Sequence, residues 1–388
     1  MHLKQYGIIV AALLLAACQD EEAVQMTVSR DAVPITFDCM AQEDEPVSRA
    51  ANGYTGNITS TNNNLRYAGF GVFACLQAGH APDLMYNQKV EYTFFANNTN
   101  EGYWTYAPLK YWPNKDDGET QTVCFYAYAP YVEKPADDFK DDPANTGIIG
   151  MSSNSDTDPY IFYARAKHPE ENVDLLWRAY TPTAIKPIRF ATEKDEHDVV
   201  IADHSLCHAL ARLKVSLGIT NGTSLAAGSK LLVQRVTFTG NIARQARLDL
   251  TSAGTTPTWT DHSMESTATI FIDHNPEVST ASYGIIAQDA RYIDGLPIAW
   301  QPAGLPHVNY DASDAATKSN LLCMGDALSY LYLIPQDPLT LSCVIDYCVI
   351  TAAGVKTDYH KTLDTSSRIT ISPLSGNKTY DIVLKITL

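Results

Sequence analysis

His204 and His208 stand four residues apart with Asp203 beside them. On a helix that spacing would put two imidazoles on one face, as a Zn²⁺ site needs. The same stretch also reads as a short helical turn, Leu206 to Leu213, running into a strand, where a histidine caps or packs; this plainer role is the expected one. Asn154, Asp156 and Asp158 alternate like the start of a Ca²⁺ loop. Pro159 follows where glycine is wanted and no Glu closes the loop at the twelfth position, so a solvated acidic turn is expected. Asn114 to Glu119 is a weaker version of the same pattern. Tyr103, Trp104, Tyr106, Tyr111 and Trp112 could stack on a sugar ring, although aromatic residues alternating along strands more often build a core. G-x-S-x-G, H-E-x-x-H, Walker A and G-x-G-x-x-G patterns are absent, which removes the common hydrolase, zincin and nucleotide signatures. The reading is therefore of a non-enzyme with no catalytic residue, metal or cofactor. An enzyme built from distant residues, such as a glycan hydrolase with convergent carboxylates, is the alternative.

The elements that must position these residues read as strands. A chain of 388 residues is too long for one ordinary core, and two domains are expected. With 45% hydrophobic and 19% charged residues, 22 Tyr and 11 Phe, the chain is globular and β-rich. Short aromatic or β-branched runs recur between Gly, Pro, Asn and Asp clusters: Arg66 to Leu76, Val90 to Phe95, Tyr103 to Tyr106, Thr122 to Ala129, Tyr160 to Tyr163, Val173 to Leu176 and Ile185 to Phe190. The second half repeats the pattern at Lys214 to Ile219, Leu231 to Phe238, Arg247 to Leu250, Ala268 to Ile272, Tyr330 to Ile334, Leu341 to Ile350, Ile369 to Ile371 and Tyr380 to Leu388. Lys134 to Pro159 and residues 287 to 327 read as long loops, and the charged patch Glu193 to Asp198 as the domain boundary. Such spacing predicts antiparallel sandwiches with few short helices.

The ends of the chain carry the address and the partners. Lys4 precedes an apolar run, Tyr6 to Leu15, which is the length of a signal-peptide core and too short to span a bilayer. It closes in Leu15-Ala16-Ala17-Cys18, which resembles the lipobox of bacterial lipoproteins, so Cys18 is the expected lipidation site. Several acyl chains would anchor it stably. Gln19-Asp20-Glu21-Glu22 resembles a surface-export signal. The net charge of −16 disfavours nucleic acid and acidic membrane surfaces. Without Cys18 seven cysteines remain; Cys343 and Cys348 would lie on opposite faces of one strand, about 16 Å apart, and most of the seven are expected to be small buried hydrophobes. After an acidic tether, Val33, Ile35, Phe37 and Cys39 alternate with polar neighbours as a strand with one greasy face. Residues 41 to 64, including Arg49-Ala50, are polar and exposed, as cleavable segments are.

Arg66 to Cys75, Tyr103 to Asn114, Cys124 to Pro130, Val173 to Leu176, His208 to Val215 and Leu333 to Gln336, taken with the lipobox, together resemble the fimbrillin-like proteins, subunits of type V pili. The resemblance implies two transthyretin-like antiparallel β-sandwich domains, an outer-membrane lipoprotein precursor, trimming by an arginine-specific protease and assembly by donor-strand exchange with other pilus subunits. The expected organisation is a signal peptide (1–17), a tether with a removable leading strand (18–49), an N-terminal sandwich (50–203) and a C-terminal sandwich (204–388). Arg49-Ala50 is the candidate cut; Arg30 is the rival but precedes the strand. Tyr380, Ile382, Leu384, Ile386 and Leu388 form the closing strand, and with no further extension after Leu388 the expectation is a tip or accessory pilin that accepts a donor and gives none. Stalk and anchor subunits, or a surface glycan-binding lipoprotein marked by exposed Trp104 and Trp112, are the alternatives. A surface glycan or protein, of host or bacterium, is a further candidate partner.

Overall fold

The structure, a computed structural model, describes residues 33–39, 64–96, 98–113, 123–166, 173–182, 187–194, 200–219, 226–273, 310–311, 323–324, 331–362 and 368–386. These are almost wholly β. The first half runs β1 (Phe37–Cys39), the one-turn helix α1 (Asn64–Ala68), β2 (Phe70–Cys75), β3 (Met85–Phe95), β4 (Asn98–Thr105), β5 (Cys124–Ala129), β6 (Gly147–Met151), β7 (Tyr160–Ala164), β8 (Leu176–Tyr180), β9 (Ile188–Phe190), β10 (Thr192–Lys194) and β11 (Val200–Asp203). It continues with β12 (Cys207–His208), β13 (Ala211–Ile219), β14 (Lys230–Asp249), β15 (Thr258–Asp273), β16 (Tyr310–Asp311), β17 (Cys323–Met324), β18 (Leu331–Leu333), β19 (Leu339–Ile350), β20 (Lys356–Thr362), β21 (Ile369–Ile371) and β22 (Thr379–Ile386). Among the described residues no helix is long and apolar enough to cross a membrane.

A six-stranded sheet, ordered β12-β8-β5-β2-β3-β4, stands at the centre of the first half. Its middle strands, FGVFAC in β2 and CFYAYA in β5, are buried at every position. Continuous apolar runs of this kind mark strands covered on both faces. Alternation still sorts the side chains. Phe70, Val72, Ala74, Phe125 and Ala127 face one core with Ile35, Phe37 and Phe190, whereas Phe73, Cys75, Cys124 and Tyr126 face another with Trp177, Ile161 and Leu248. Gly71 lies opposite Tyr128, and a methyl group there would meet the tyrosine ring at 2.2 Å, so only glycine lets the ring lie across the strand.

β14 links the two halves. Its 20 residues pair through Lys230 to Val233 with β19 and through Gln245 to Asp249 with β7. Val236, Phe238 and Ile242 serve a third core, beside Leu213, Leu333, Leu341 and Leu384, while Ala246 and Leu248 serve the core beneath the six-stranded sheet. Arg165, itself fully buried, donates to the carbonyls of Ala166 and Ala243 and reaches Glu265 at 3.3 Å. β12 likewise pairs back onto β8. Hydrogen-bonded ladders thus cross the expected division at residue 203.

Several local expectations are corrected. Leu206 to Leu213 is extended: β12 and the start of β13 take the place of the helical turn, because each finds a sheet edge to join. The expected loop Lys134 to Pro159 contains β6, whose Ile148, Ile149 and Met151 are buried. Leu231 to Phe238 and Arg247 to Asp249 belong to the single long β14, with Leu250 just past its end, and Ala268 to Ile272 belong to the sixteen-residue β15. Val173 to Leu175 precede the strand, which begins at Leu176.

Candidate functional site

The leading strand lies in a slot of backbone groups. Ile35 N–H donates to the Lys110 carbonyl and Trp112 N–H donates to the Val33 carbonyl, both at 2.9 Å. On the opposite edge Ile188 N–H donates to the Thr36 carbonyl at 2.8 Å, and Phe37 to Cys39 run parallel to Ile188 to Phe190. The Tyr106 hydroxyl closes the slot from the side, donating to the Ile35 carbonyl at 2.8 Å. The strand therefore bridges β9 and the segment 110–112. Were it withdrawn, these donors and acceptors would lose their partners together.

The side chains make the same fit. Ile35, Phe37 and Cys39 are 0%, 7% and 5% exposed and belong to the core of the six-stranded sheet. Phe37 stands edge-on to Phe70 and Phe125, each at 6.0 Å, and to Tyr106 at 5.4 Å. Such pairs prefer this geometry because a ring edge is positive and its face negative. Burial pushes the Cys39 thiol well above its ordinary range, aided by the neighbouring Asp38 carboxylate, so it stays protonated and unreactive in place. Burying Ile35 and Phe37 is worth about 3–6 kcal/mol at about 1.5–3 kcal/mol for each large side chain. Val33, expected on the same greasy face, is 46% exposed. Three side chains, not four, fill the groove. A cleft of about 590 Å³ opens beside them, bounded by Thr36 to Cys39, Leu65, Arg66, Tyr92 and Trp104.

The closing strand is held differently. β22 pairs parallel with β13 over eight consecutive residues, Thr379 to Ile386 against Arg212 to Ile219. Ile382 and Leu384 are buried in the core that β13, β14 and β19 share, and half-buried Tyr380 packs against it. The Tyr380 hydroxyl donates to the Pro373 carbonyl and accepts from Ser375 N–H at 2.8 Å, fixing the start of the strand. Leu388 lies outside the described residues, as do Cys18, Arg30, Arg49, Ala50 and Asn114 to Glu119.

The alternative sites do not assemble. His208 Nδ1 meets Asp174 Oδ2 at 2.8 Å with both side chains fully buried, whereas the His204 ring lies tilted against Tyr180, their centroids 4.1 Å apart. The two imidazoles serve different neighbours because the segment between them is extended. Among the described residues no cluster of three metal-ligating side chains occurs. Asp156 accepts from Ser153 N–H at 2.6 Å, so it closes its own turn. Of the aromatic set, Trp112 is 6% exposed inside the core, and Trp104 packs edge-on to Phe70 and Tyr92. Tyr103 alone of the set is a largely exposed ring, at 53%. The exposed tryptophans expected of a glycan platform are thus corrected: Trp112 is buried in the core and Trp104 is partly buried against it, since β4 turns Trp104 toward Phe70 and the Trp112 backbone is part of the slot.

The slot itself had a partial signal in the sequence, the alternation at 33–39. Of its walls, Ile188 lies in the predicted strand Ile185 to Phe190, but nothing in the sequence joins it to Lys110 and Trp112, which meet it only through the fold.

No family profile matches the chain. It is 26% identical over 144 residues to the fimbrium subunit Fim1C of Phocaeicola vulgatus, a match covering 35% of this chain and 32% of that protein, and so less than two thirds of the relative's own length. Among solved structures it is similar to a proposed cell adhesion protein of Bacteroides uniformis, at 14% identity and a TM-score of 0.40, covering 91% of this chain and 94% of that one. Another, from Bacteroides fragilis, stands at 12% identity and a TM-score of 0.32, covering 92% and 94%. The sequence relative, a fimbrium subunit by name, matches the resemblance that the motifs carry.

Proposed function

We propose that this chain is a cell-surface pilus subunit, made as an outer-membrane precursor lipidated at Cys18, cut between Arg49 and Ala50, and joined to its neighbours by strand complementation. The observation that carries the reading is the seat of the leading strand. A segment hydrogen-bonded on both edges and filling a groove with alternate side chains can be replaced by another chain's strand that offers the same backbone and the same alternation. An emptied groove exposes unpaired backbone and apolar surface, which favours a partner strand over water. The sequence relative that is a fimbrium subunit supports the same class of role. Because β22 completes its own sheet, the trimmed protein accepts a strand and gives none from its described residues, which is the position of a tip or accessory subunit.

The N-terminus of the protein recovered from assembled pili tests this. Mass spectrometry should find Ala50 first. An acylated Cys18 retained in the pilus would instead make it an untrimmed anchor subunit, and homopolymers formed by trimmed protein alone would make it a stalk subunit.

A further inference from the structure

The cysteines divide by face in a way that the leading strand does not need and that points to a separate modification site. β2 and β5 pair without a register slip from Gly71 against Tyr128 to Cys75 against Cys124. Cys75 and Cys124 are therefore direct opposites, and both point into the core beneath the sheet. Residues directly opposite across antiparallel strands have Cα atoms about 4.5 or about 5.5 Å apart, according to the type of pair. Both values fall within the roughly 4.4–6.8 Å that a disulfide spans. We propose that Cys75 and Cys124 form a disulfide that staples the two middle strands of the six-stranded sheet in an oxidising compartment.

The remaining described cysteines are placed elsewhere. Cys39 lies in the core on the opposite face of the same sheet, so the sheet itself separates it from both partners. Cys207 is opposite Trp177 and touches Arg178, Cys323 lies in β17 opposite Ser216 of β13, and Cys343 and Cys348 belong to β19. Cys39, Cys207, Cys343 and Cys348, with Cys75 and Cys124, are buried thiols in this structure. The fully buried site sets the order of events: the bond forms while the β2–β5 ladder is closing, and once closed the site is shielded from oxidant and reductant alike. The Cys75 thiol, pushed up to about 12 chiefly by burial and next by Asp83, adds to that protection because the thiolate is the reactive form. In chemical terms two thiols lose two protons and two electrons as the S–S bond forms; a disulfide oxidant such as oxidised glutathione takes them up and becomes two glutathione thiols. The staple leaves the leading strand free to depart, since Cys39 has no share in it.

The test refolds reduced, denatured precursor in glutathione buffers of graded redox ratio, then alkylates it under denaturing conditions and digests it without reduction. The expected product is one linked peptide pair joining Cys75 to Cys124, with Cys39, Cys207, Cys323, Cys343 and Cys348 all alkylated. The oxidised protein should melt at a higher temperature than the same protein reduced. Cys75→Ala should abolish the linked pair and leave Cys124 alkylated. Full alkylation of Cys75 and Cys124 even in oxidised glutathione alone would overturn the proposal, and so would either of them linking to a different cysteine. Both readouts come from the wild-type chain, so they stand even where the variant folds poorly.

Discussion

β1 and β22 are both added parallel to the strand they join, while every other ladder among the described residues is antiparallel. Their side chains are of the same kind. Ile35, Phe37 and Cys39 fill one core; Ile382 and Leu384, with half-buried Tyr380, fill another. The backbones differ. β1 matches β9 over three residues, with two further bonds to the segment 110–112, whereas β22 matches β13 over eight. With each intramolecular hydrogen bond worth about 0.5–1.5 kcal/mol net, the longer ladder holds β22 to its sheet more firmly than the short one holds β1. Apolar alternation alone does not make that distinction.

The largest expected effect comes from deleting residues 379–388. β13 would keep β17 and β18 on one edge and lose its whole ladder on the other, and the core around Leu213, Leu331 and Leu333 would open. Loss of cooperative unfolding and rapid proteolysis of the second half are the expected readouts. A well-folded protein after this deletion would break the comparison and make β22 a spare donor.

Removing residues 1–49 should cost less. The trimmed protein should stay folded and lose about 3–6 kcal/mol, the burial worth of Ile35 and Phe37. A synthetic peptide spanning Val33 to Met40 should restore the loss on binding, as followed by thermal melting. An unchanged melting temperature on trimming, with no peptide present, would show that the groove collapses without penalty and that β1 is not its natural filling.

Phe37→Ala sharpens the comparison to one side chain. Held edge-on by Phe70, Phe125 and Tyr106, the ring should be worth about 3–5 kcal/mol in the precursor. In trimmed protein its contribution should be zero, because the residue is gone. The difference between the two, measured by denaturant unfolding, isolates the groove from everything else. A peptide carrying the same substitution should fail to restore the trimmed protein.

Much of this was legible in the sequence. The β class followed from aromatic and β-branched runs punctuated by Gly, Pro, Asn and Asp, and the β1 and β22 stripes followed from alternation. What a linear pattern does not contain is coverage and length. The β2 and β5 runs are apolar throughout because a core lies on each face, and that shows only once β1 and β9 cover one side and β7 and β14 the other. β14 read as two short strands because its middle, Thr239 to Ala246, carries Gly, Asn, Gln and Arg; the fold tolerates them where the strand passes between cores. Gly240 lies so close to the Thr340 carbonyl that a methyl group would meet it at 2.3 Å, and Asn241 and Ala243 bond Gln336. His204 and His208 would share a face only on a helix; a sheet edge claims the segment, and each packs against its own neighbour as the plainer reading expects.

The smallest expected effect is at Val33, where the stripe read from the sequence and the buried face of the structure part company. Its carbonyl accepts from Trp112 N–H, so its backbone is engaged, yet its side chain is 46% exposed. Val33→Ala keeps the carbonyl and removes only half-solvated methyl groups. Precursor stability should therefore move by less than about 0.5 kcal/mol, as surface substitutions do. Ile35→Ala, two residues on and fully buried, should cost about 2–5 kcal/mol. Measured side by side in the precursor, the two substitutions fix where the groove begins. Equal losses would extend the buried face to four side chains and lengthen the strand that any partner must supply; a loss at Ile35 alone sets the pattern a replacement must match at β-branched, aromatic and small positions, two residues apart.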